Sequence, residues 1–420
     1  MKSKYITMIS LFCAVLCLLS PHKIFGTLNY EAYLESWDPN YVATISGLPV
    51  GPAGQGAYAG VVVDIAFAEL DASASPYFRG LGFSSDFATA QAAVLNVASI
   101  VQGKGGKVKI SFGGQNNTND NKTYWFQATS GFPNNAVSLA NSLANIFNTN
   151  YSSLDGLDFD IEEQLIVVDG AYPVNNQQFA NYLLTFFQTL RQALPNKTIS
   201  ITIPGQAWPA TWKTPPVPAT YWQLLCQQLF TAGSPYSTVV DYVNIMEYPL
   251  TIISGNNYIY SQIIEDINYY ILPTTQTAPG INHLGWGIMP SKIQLGLCVA
   301  SAAPGQTMLP SNMQTLAQAV NSPNVTYPNG FGAQLMGVMI WDLSLDAQPN
   351  RANPPVSPLP ASYAYSQAVR LGLTQSLPAT SVSEQYQRNQ SPRAGSLVTH
   401  TRNGKPKYIT PTAFPDTIYP

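Results

Sequence analysis

The sequence predicts a (β/α)8 barrel, on three observations. Eight short apolar, strand-like runs recur along the chain, and helical periodicity fills several of the intervals between them. The length of 420 residues suits one large α/β barrel with additions. Strands alternating with crossovers long enough to return to the same end give a parallel sheet, and eight such units close on themselves.

The runs are Asn29 to Ser36, Gly60 to Leu70, Lys107 to Phe112, Leu154 to Glu162, Thr198 to Pro204, Val239 to Tyr248, Lys292 to Val299 and Leu335 to Asp342. Leu139, Leu143 and Ile146 share one helical face before the fourth run, and Phe179, Leu183, Phe186 and Leu190 share one after it. Only about 35 residues separate the last two runs, most of them needed for the crossover helix, so no large α+β insertion is expected there.

The two ends of the chain read differently. Lys2 and Lys4 precede an apolar stretch from Ile6 to Leu19 and then the small residues Gly26 and Thr27. That is the pattern of a secretory signal peptide over residues 1–26, too short to span a membrane. It implies a secreted chain, extracellular or periplasmic, with no membrane attachment after cleavage. The barrel is expected over 27–373, and from Thr374 to Pro420 Ser, Pro, Gln, Thr and Arg dominate, which predicts a weakly ordered tail. Cys13 and Cys17 leave with the signal peptide. Cys226, in a helical pattern, and Cys298, in a strand pattern, remain, either as one disulfide or as two separate buried thiols.

Charged residues make up 10% of the chain and the formal net charge is −3, so nothing in it attracts nucleic acid. Its polar content is Asn, Gln, Ser, Thr and Tyr, which suit a neutral, hydroxyl-rich partner such as a carbohydrate. Past the signal peptide the histidines are His283 and His400, too few for a histidine metal site or a Ser-His-Asp triad, and no phosphate-cradling loop is present. No metal and no organic cofactor is expected, and the chain is expected to act as a monomer.

In a barrel of this kind chemistry sits at the C-terminal ends of the strands. The polar and aromatic residues falling there are Glu35, Trp37, Gly113, Gly114, Asp160, Glu162, Trp208, Glu247, Tyr248 and Trp341. The fourth run is the most informative. Side chains alternate along a strand, so Asp158, Asp160 and Glu162 share the face opposite Leu157, Phe159 and Ile161. Three carboxyls then point into the barrel, and no Lys or Arg occurs in the run to compensate them. Carboxylates roughly 6 to 7 Å apart resist joint ionisation, which raises at least one pKa and keeps a proton available for acid catalysis. Glu163 faces the other way.

Asp155-Gly156-Leu157-Asp158-Phe159-Asp160-Ile161-Glu162 resembles the DGxDxDxE signature of glycoside hydrolase family 18, the chitinase family. Ser111-Phe112-Gly113-Gly114 is similar to the family's SxGG strand, Met246-Glu247-Tyr248 to its MxY segment, and Trp341 to the tryptophan of its eighth strand. Ala32-Tyr33-Leu34-Glu35-Ser36-Trp37 resembles its GYYxxW segment, with Ala32 in place of the glycine and Leu34 in place of an aromatic residue.

The resemblance implies that Glu162 protonates the glycosidic oxygen and then activates water. It implies that Asp160 orients the substrate's 2-acetamido group, whose own oxygen attacks the anomeric carbon, an exception to the two-carboxylate scheme. Asp158 would share a proton with Asp160, Tyr248 would donate to the acetamido oxygen, Trp341 would floor the sugar site, and Tyr33 would form a wall. Asp155 and Gly156 read as structural at the turn into the strand, and Gly113 and Gly114 as clearing space for substrate or for a neighbouring strand. Trp37, Trp125, Trp208 and Trp286 are further aromatics able to stack on sugars.

The implied activity is retaining, endo-acting hydrolysis of β-1,4 bonds in chitin or N-acetylglucosamine oligomers. An endo-β-N-acetylglucosaminidase acting on glycoprotein glycans would use the same carboxylates. A chitin-binding lectin on this fold would typically lack the acid at the position of Glu162.

Overall fold

The computed structural model describes residues 29–48, 58–69, 77–114, 134–161, 176–205, 220–248, 260–276, 284–299, 308–326, 329–351 and 360–377. The expected signal peptide, Glu162, Trp125, Trp208, His283 and the tail beyond residue 377 lie outside the described residues.

Eight parallel strands close in sequence order into a barrel. They are β1 Asn29–Glu35, β2 Val61–Ala68, β3 Lys107–Gly113, β4 Gly156–Asp160, β5 Thr198–Pro204, β6 Tyr242–Met246, β7 Ile293–Cys298 and β8 Gly337–Trp341. Each lies within one of the runs read from the sequence, or extends a single residue past it. The described helices are α1 Tyr41–Ser46, α2 Phe87–Gln102, α3 Asn134–Asn150, α4 Asn176–Ala193, α5 Tyr221–Phe230, α6 Tyr260–Ile271, α7 Pro310–Val320, α8 Leu343–Ala347 and α9 Ala364–Leu373. Among the described residues only α7 lies between β7 and β8. None of the described helices is long and apolar enough to cross a membrane.

The outward side chains of the strands form the main core against the helices. Phe159 on β4 packs edge-on against Phe186 and Phe187 of α4, each 5.3 Å away, and stacks on Phe112 of β3 at 5.4 Å. Burying a ring of this size is worth roughly 1.5–3 kcal/mol. Phe179, Leu183, Phe186 and Leu190 are all fully buried, as their spacing predicts. Local signals start two of the helices: Asp86 accepts from Thr89 N at 2.8 Å at the start of α2, and Thr220 accepts from Gln223 N at 3.2 Å at the start of α5.

Packing continues slightly past the predicted boundary. Leu377 is buried and its N–H donates to Ser322 Oγ at 2.7 Å, so residues 374–377 belong with the barrel's outer layer. Cys226 on α5 and Cys298 on β7 are both buried free thiols.

Candidate active site

Asp158 and Asp160 are both buried on the inner face of β4. Cross-strand register sets Asp158 between Ser111 of β3 and Ser200 of β5, and Asp160 between Gly113 and Thr202. The Asp158 carboxylate is held on all sides. Tyr33 OH and Ser111 Oγ each donate to Oδ2 at 2.7 Å, and Ser200 Oγ donates to Oδ1 at 2.6 Å. Thr202 Oγ1 lies 3.2 Å from both carboxylate oxygens and 2.7 Å from the Tyr33 hydroxyl. Burial pushes Asp158 above the usual carboxylate range, against the pull of Lys109 and the donors. Burial also raises the Tyr33 phenol far above its ordinary value, with Asp158 and Asp160 adding to the effect, so the hydroxyl keeps the proton it donates.

The chain is anchored immediately before Glu162. Ile161 N donates to Thr202 O at 2.9 Å, and Trp222 of α5 donates from Nε1 to Ile161 O at 3.0 Å. Glu162, the next residue, lies outside the described residues.

An apolar patch closes the same end of the barrel. Trp341, Phe67 and Tyr248 are half-buried and pack on a buried cluster of Tyr33, Ala66, Met246 and Met339. Phe67 and Trp341 stack at 5.4 Å with planes 11° apart, and Tyr33 lies 5.6 Å from Trp341. The peptide bonds Ala66–Phe67 and Trp341–Asp342 are cis.

Several expectations change. Tyr33 is 1% exposed, so it supports Trp341 from behind and holds Asp158; it does not wall a sugar site. Met246 likewise belongs to the buried support. Gly113, at φ +120°, and Gly114, at φ +82°, make room for protein: a Cβ on Gly113 would stand 1.9 Å from Asp160 O, and one on Gly114 would stand 2.6 Å from the Phe67 ring. Trp286 is wholly buried and packs on Tyr270, whereas Trp37 is 47% exposed beyond the end of β1. Glu35 is tied to Arg351 at 3.1 Å in a structural ion pair.

Asp155 accepts from Val108 N and Gln102 Nε2, both at 2.8 Å, and a Cβ on Gly156 would stand 2.0 Å from Thr198 O.

Sequence reasoning missed a polar layer inside the barrel. Lys109 is fully buried, with Nζ 3.3 Å from Glu31 Oε1, 3.3 Å from Asp64 Oδ2, 2.8 Å from Tyr242 OH and 2.6 Å from Ser200 Oγ. The cation absent from the fourth run is supplied one strand away. It also missed Phe67 and Trp222.

The sequence pattern of glycosyl hydrolases family 18 matches residues 59–302, which run from β2 through β7, and the chain belongs to that family. The C-terminal domain of Legionella pneumophila ChiA superposes with a TM-score of 0.52 at 16% identity, over 81% of this chain and 97% of that one. The catalytic domain of a family GH18 chitinase from the fern Peteris ryukyuensis gives 0.49 at 16% identity, over 82% and 99%. The chitinase-like agglutinin RobpsCRA from Robinia pseudoacacia gives 0.46 at 15% identity, over 82% and 99%. At these identities the likeness is one of fold. A sequence search of curated proteins found no match.

Proposed function

We propose that the protein is a secreted chitinase that hydrolyses β-1,4 bonds between N-acetylglucosamine units by a retaining, substrate-assisted route. The observation that carries this reading is the pairing of Asp158 and Asp160 on one inner face of β4, at the barrel end where Trp341, Phe67 and Tyr248 remain half-exposed. Secretion rests on the apolar run from Ile6 to Leu19 behind Lys2 and Lys4.

In this reading a sugar ring rests on Trp341 and its 2-acetamido group turns toward Asp160 and Tyr248. Glu162 protonates the leaving oxygen as the acetamido oxygen attacks C1, while Asp160 orients the acetamido group and the one negative charge shared by Asp160 and Asp158 stabilises the positive charge that develops on the acetamido nitrogen. Water activated by Glu162 then opens the oxazolinium ion, and two inversions leave a β-anomeric product. Asp158 exchanges a proton with Asp160 as the charge builds.

Replacing Glu162 with Gln removes the transferable proton while keeping shape, so turnover on chitin oligomers should fall roughly a hundredfold or more with binding retained. Proton NMR of fresh product should show the β anomer first. Near-normal turnover in the variant would remove Glu162 from its role. Cleavage of a high-mannose glycoprotein in place of chitin oligomers would move the substrate to the chitobiose core of glycans.

A further inference from the structure

Inside the barrel, between the Asp158 carboxylate and the strands' N-terminal ends, three acids and one cation are packed without access to solvent. One carboxyl oxygen from each of Glu31, Asp64 and Asp158 lies within 4.8 Å of the other two, and the positive charge among them is the Lys109 ammonium. All four side chains are fully buried. One cation fully compensates one anion, so the layer cannot hold three carboxylates at once.

The hydrogen bonds show how the compensation is divided. Glu31 accepts from Tyr242 OH at 2.6 Å, Asn244 Nδ2 at 2.6 Å and Gln294 Nε2 at 3.1 Å, besides Lys109. Although burial opposes it, Lys109 and hydrogen bonds from Asp64, Tyr242 and Asn244 hold Glu31 below the usual carboxylate range. Asp64 accepts no hydrogen bond among the described residues, and burial next to Glu31 pushes it far up, so it keeps its proton. The ammonium also acts on Asp158, directly through its charge and through one hydrogen-bonded bridge: Lys109 Nζ donates to Ser200 Oγ, and Ser200 Oγ donates to Asp158 Oδ1, both at 2.6 Å.

We propose that Lys109, acting through Ser200, is a positioning residue that supplies the counter-charge for Asp158 when Asp158 gives its proton to Asp160. The proposal rests on the substrate-assisted reading above. The step is a proton shift alone: the O–H bond on Asp158 breaks, an O–H bond on Asp160 forms, and the negative charge left on Asp158 faces the Ser200 hydroxyl with Lys109 behind it. The other charged and titratable groups around Asp158 are Tyr33 and Glu31 from β1, Asp64 from β2 and Asp160 from β4, with Tyr242 of β6 on the far side of Lys109; among the described residues Lys109 is the cation of this group.

The sign of the effect follows. The productive form holds one proton between Asp158 and Asp160, and the acid limb of the rate profile is the loss of the second. Weakening the counter-charge makes the pair keep that second proton to higher pH, so the acid limb moves up. Ser200→Ala cuts the bridge while leaving the layer's charges intact, and should move the acid limb of kcat/KM on chitin oligomers up by about half a pH unit with KM little changed. Lys109→Met should move it by about one unit or more. If that variant does not fold, the double variant Lys109→Met/Glu31→Gln, which removes one charge of each sign, replaces it.

Carboxyl-13C titration of the Asp-labelled full chain, with the Asp158 signal assigned by its loss in Asp158→Asn, reads the same shift without substrate. An unmoved Asp158 titration in Ser200→Ala overturns the proposal, as does an unmoved acid limb with activity falling only in step with Tm. A wild-type chain inactive on chitin oligomers whose Asp158 titration nonetheless moves up in Lys109→Met, and by more than in Ser200→Ala, overturns the functional reading and leaves the Lys109 linkage standing.

Discussion

Two buried acids on the barrel wall, Asp158 and Glu247, are both pushed above the usual carboxylate range by burial, yet their surroundings differ. Asp158 points inward from β4 and receives hydrogen bonds from Tyr33, Ser111 and Ser200, with Lys109 behind. Glu247 follows the end of β6 and is 1% exposed, yet neither carboxyl oxygen accepts a hydrogen bond among the described residues. Burial and the neighbouring Asp266 push Glu247 far above the usual carboxylate range. Asp266 on α6 is pushed up to about 7, by burial first and Glu265 second. Tyr270 also feels Glu247 and Asp266, and its hydroxyl is spent on Gly205 O. Inside the barrel, donors from successive strands make a carboxylate tolerable; behind β6, where apolar helix faces pack, the acid is tolerated by staying protonated.

The inner region should break hardest. Glu31→Gln removes the anion that Lys109, Tyr242, Asn244 and Gln294 all address, and leaves a buried ammonium with Asp64 as its remaining acid neighbour on that side. Breaking a buried pair from one side costs about 3–5 kcal/mol, which in a domain of this size lowers Tm by about 4–7 °C. Calorimetry at pH 7 tests this. A change under about 1 °C would mean that the layer is not a coupled unit.

The outer region should respond with the opposite sign. A folded-state pKa raised to about 7 means that native Asp266 holds its proton through a range where the unfolded chain has released it. Stability is therefore lost as pH rises from about 4 through 7, and is not regained above that. Asp266→Asn removes the penalty, so it should leave stability at pH 4 nearly unchanged and raise it at pH 8. The full shift corresponds to about 4 kcal/mol, and relaxation around the ionised group brings the expected gain to about 2 kcal/mol. Urea denaturation at the two pH values decides it; equal effects at both would place Asp266 in a better-solvated setting.

The same contrast explains what could be read in advance. All eight strands were legible because their outward residues, such as Ile199, Ile201 and Ile203, are apolar at every second position and continue over a whole strand. Asp158 and Asp160 were legible because three acids at alternate positions with no local cation have no ordinary structural use. The compensating layer was not, since Glu31, Asp64, Lys109, Ser200, Tyr242, Asn244 and Gln294 come from six strands and meet only when the barrel closes. A signal did exist: Thr198-Ile199-Ser200-Ile201-Thr202 alternates polar with apolar, and in a barrel that places hydroxyls inside. Phe67 carried no such mark, because it sits in a run that reads as apolar throughout. Its place is set by the missing Cβ of Gly114, a relation between two strands.

The two free thiols give a gentler probe of the outer region. Cys226 on α5 lies near Tyr270, in the neighbourhood of Glu247 and Asp266, whereas Cys298 sits on β7 near Asp342. Both are wholly buried, and burial raises both thiols above their ordinary value, so alkylation requires local opening. Below its pKa each thiolate fraction rises tenfold per pH unit, and the ratio of the two labelling rates cancels that common factor. If ionisation of Asp266 loosens the packing behind β6, the Cys226 to Cys298 ratio should rise between pH 5 and pH 8 by a few-fold, since each 1.4 kcal/mol of lost local stability is worth tenfold in opening. Mass spectrometry of the peptides carrying each cysteine reads the ratio directly. In Asp266→Asn the rise should shrink or vanish. A ratio flat with pH in the wild-type chain, or a rise that persists in the variant, would uncouple that acid from the packing around it.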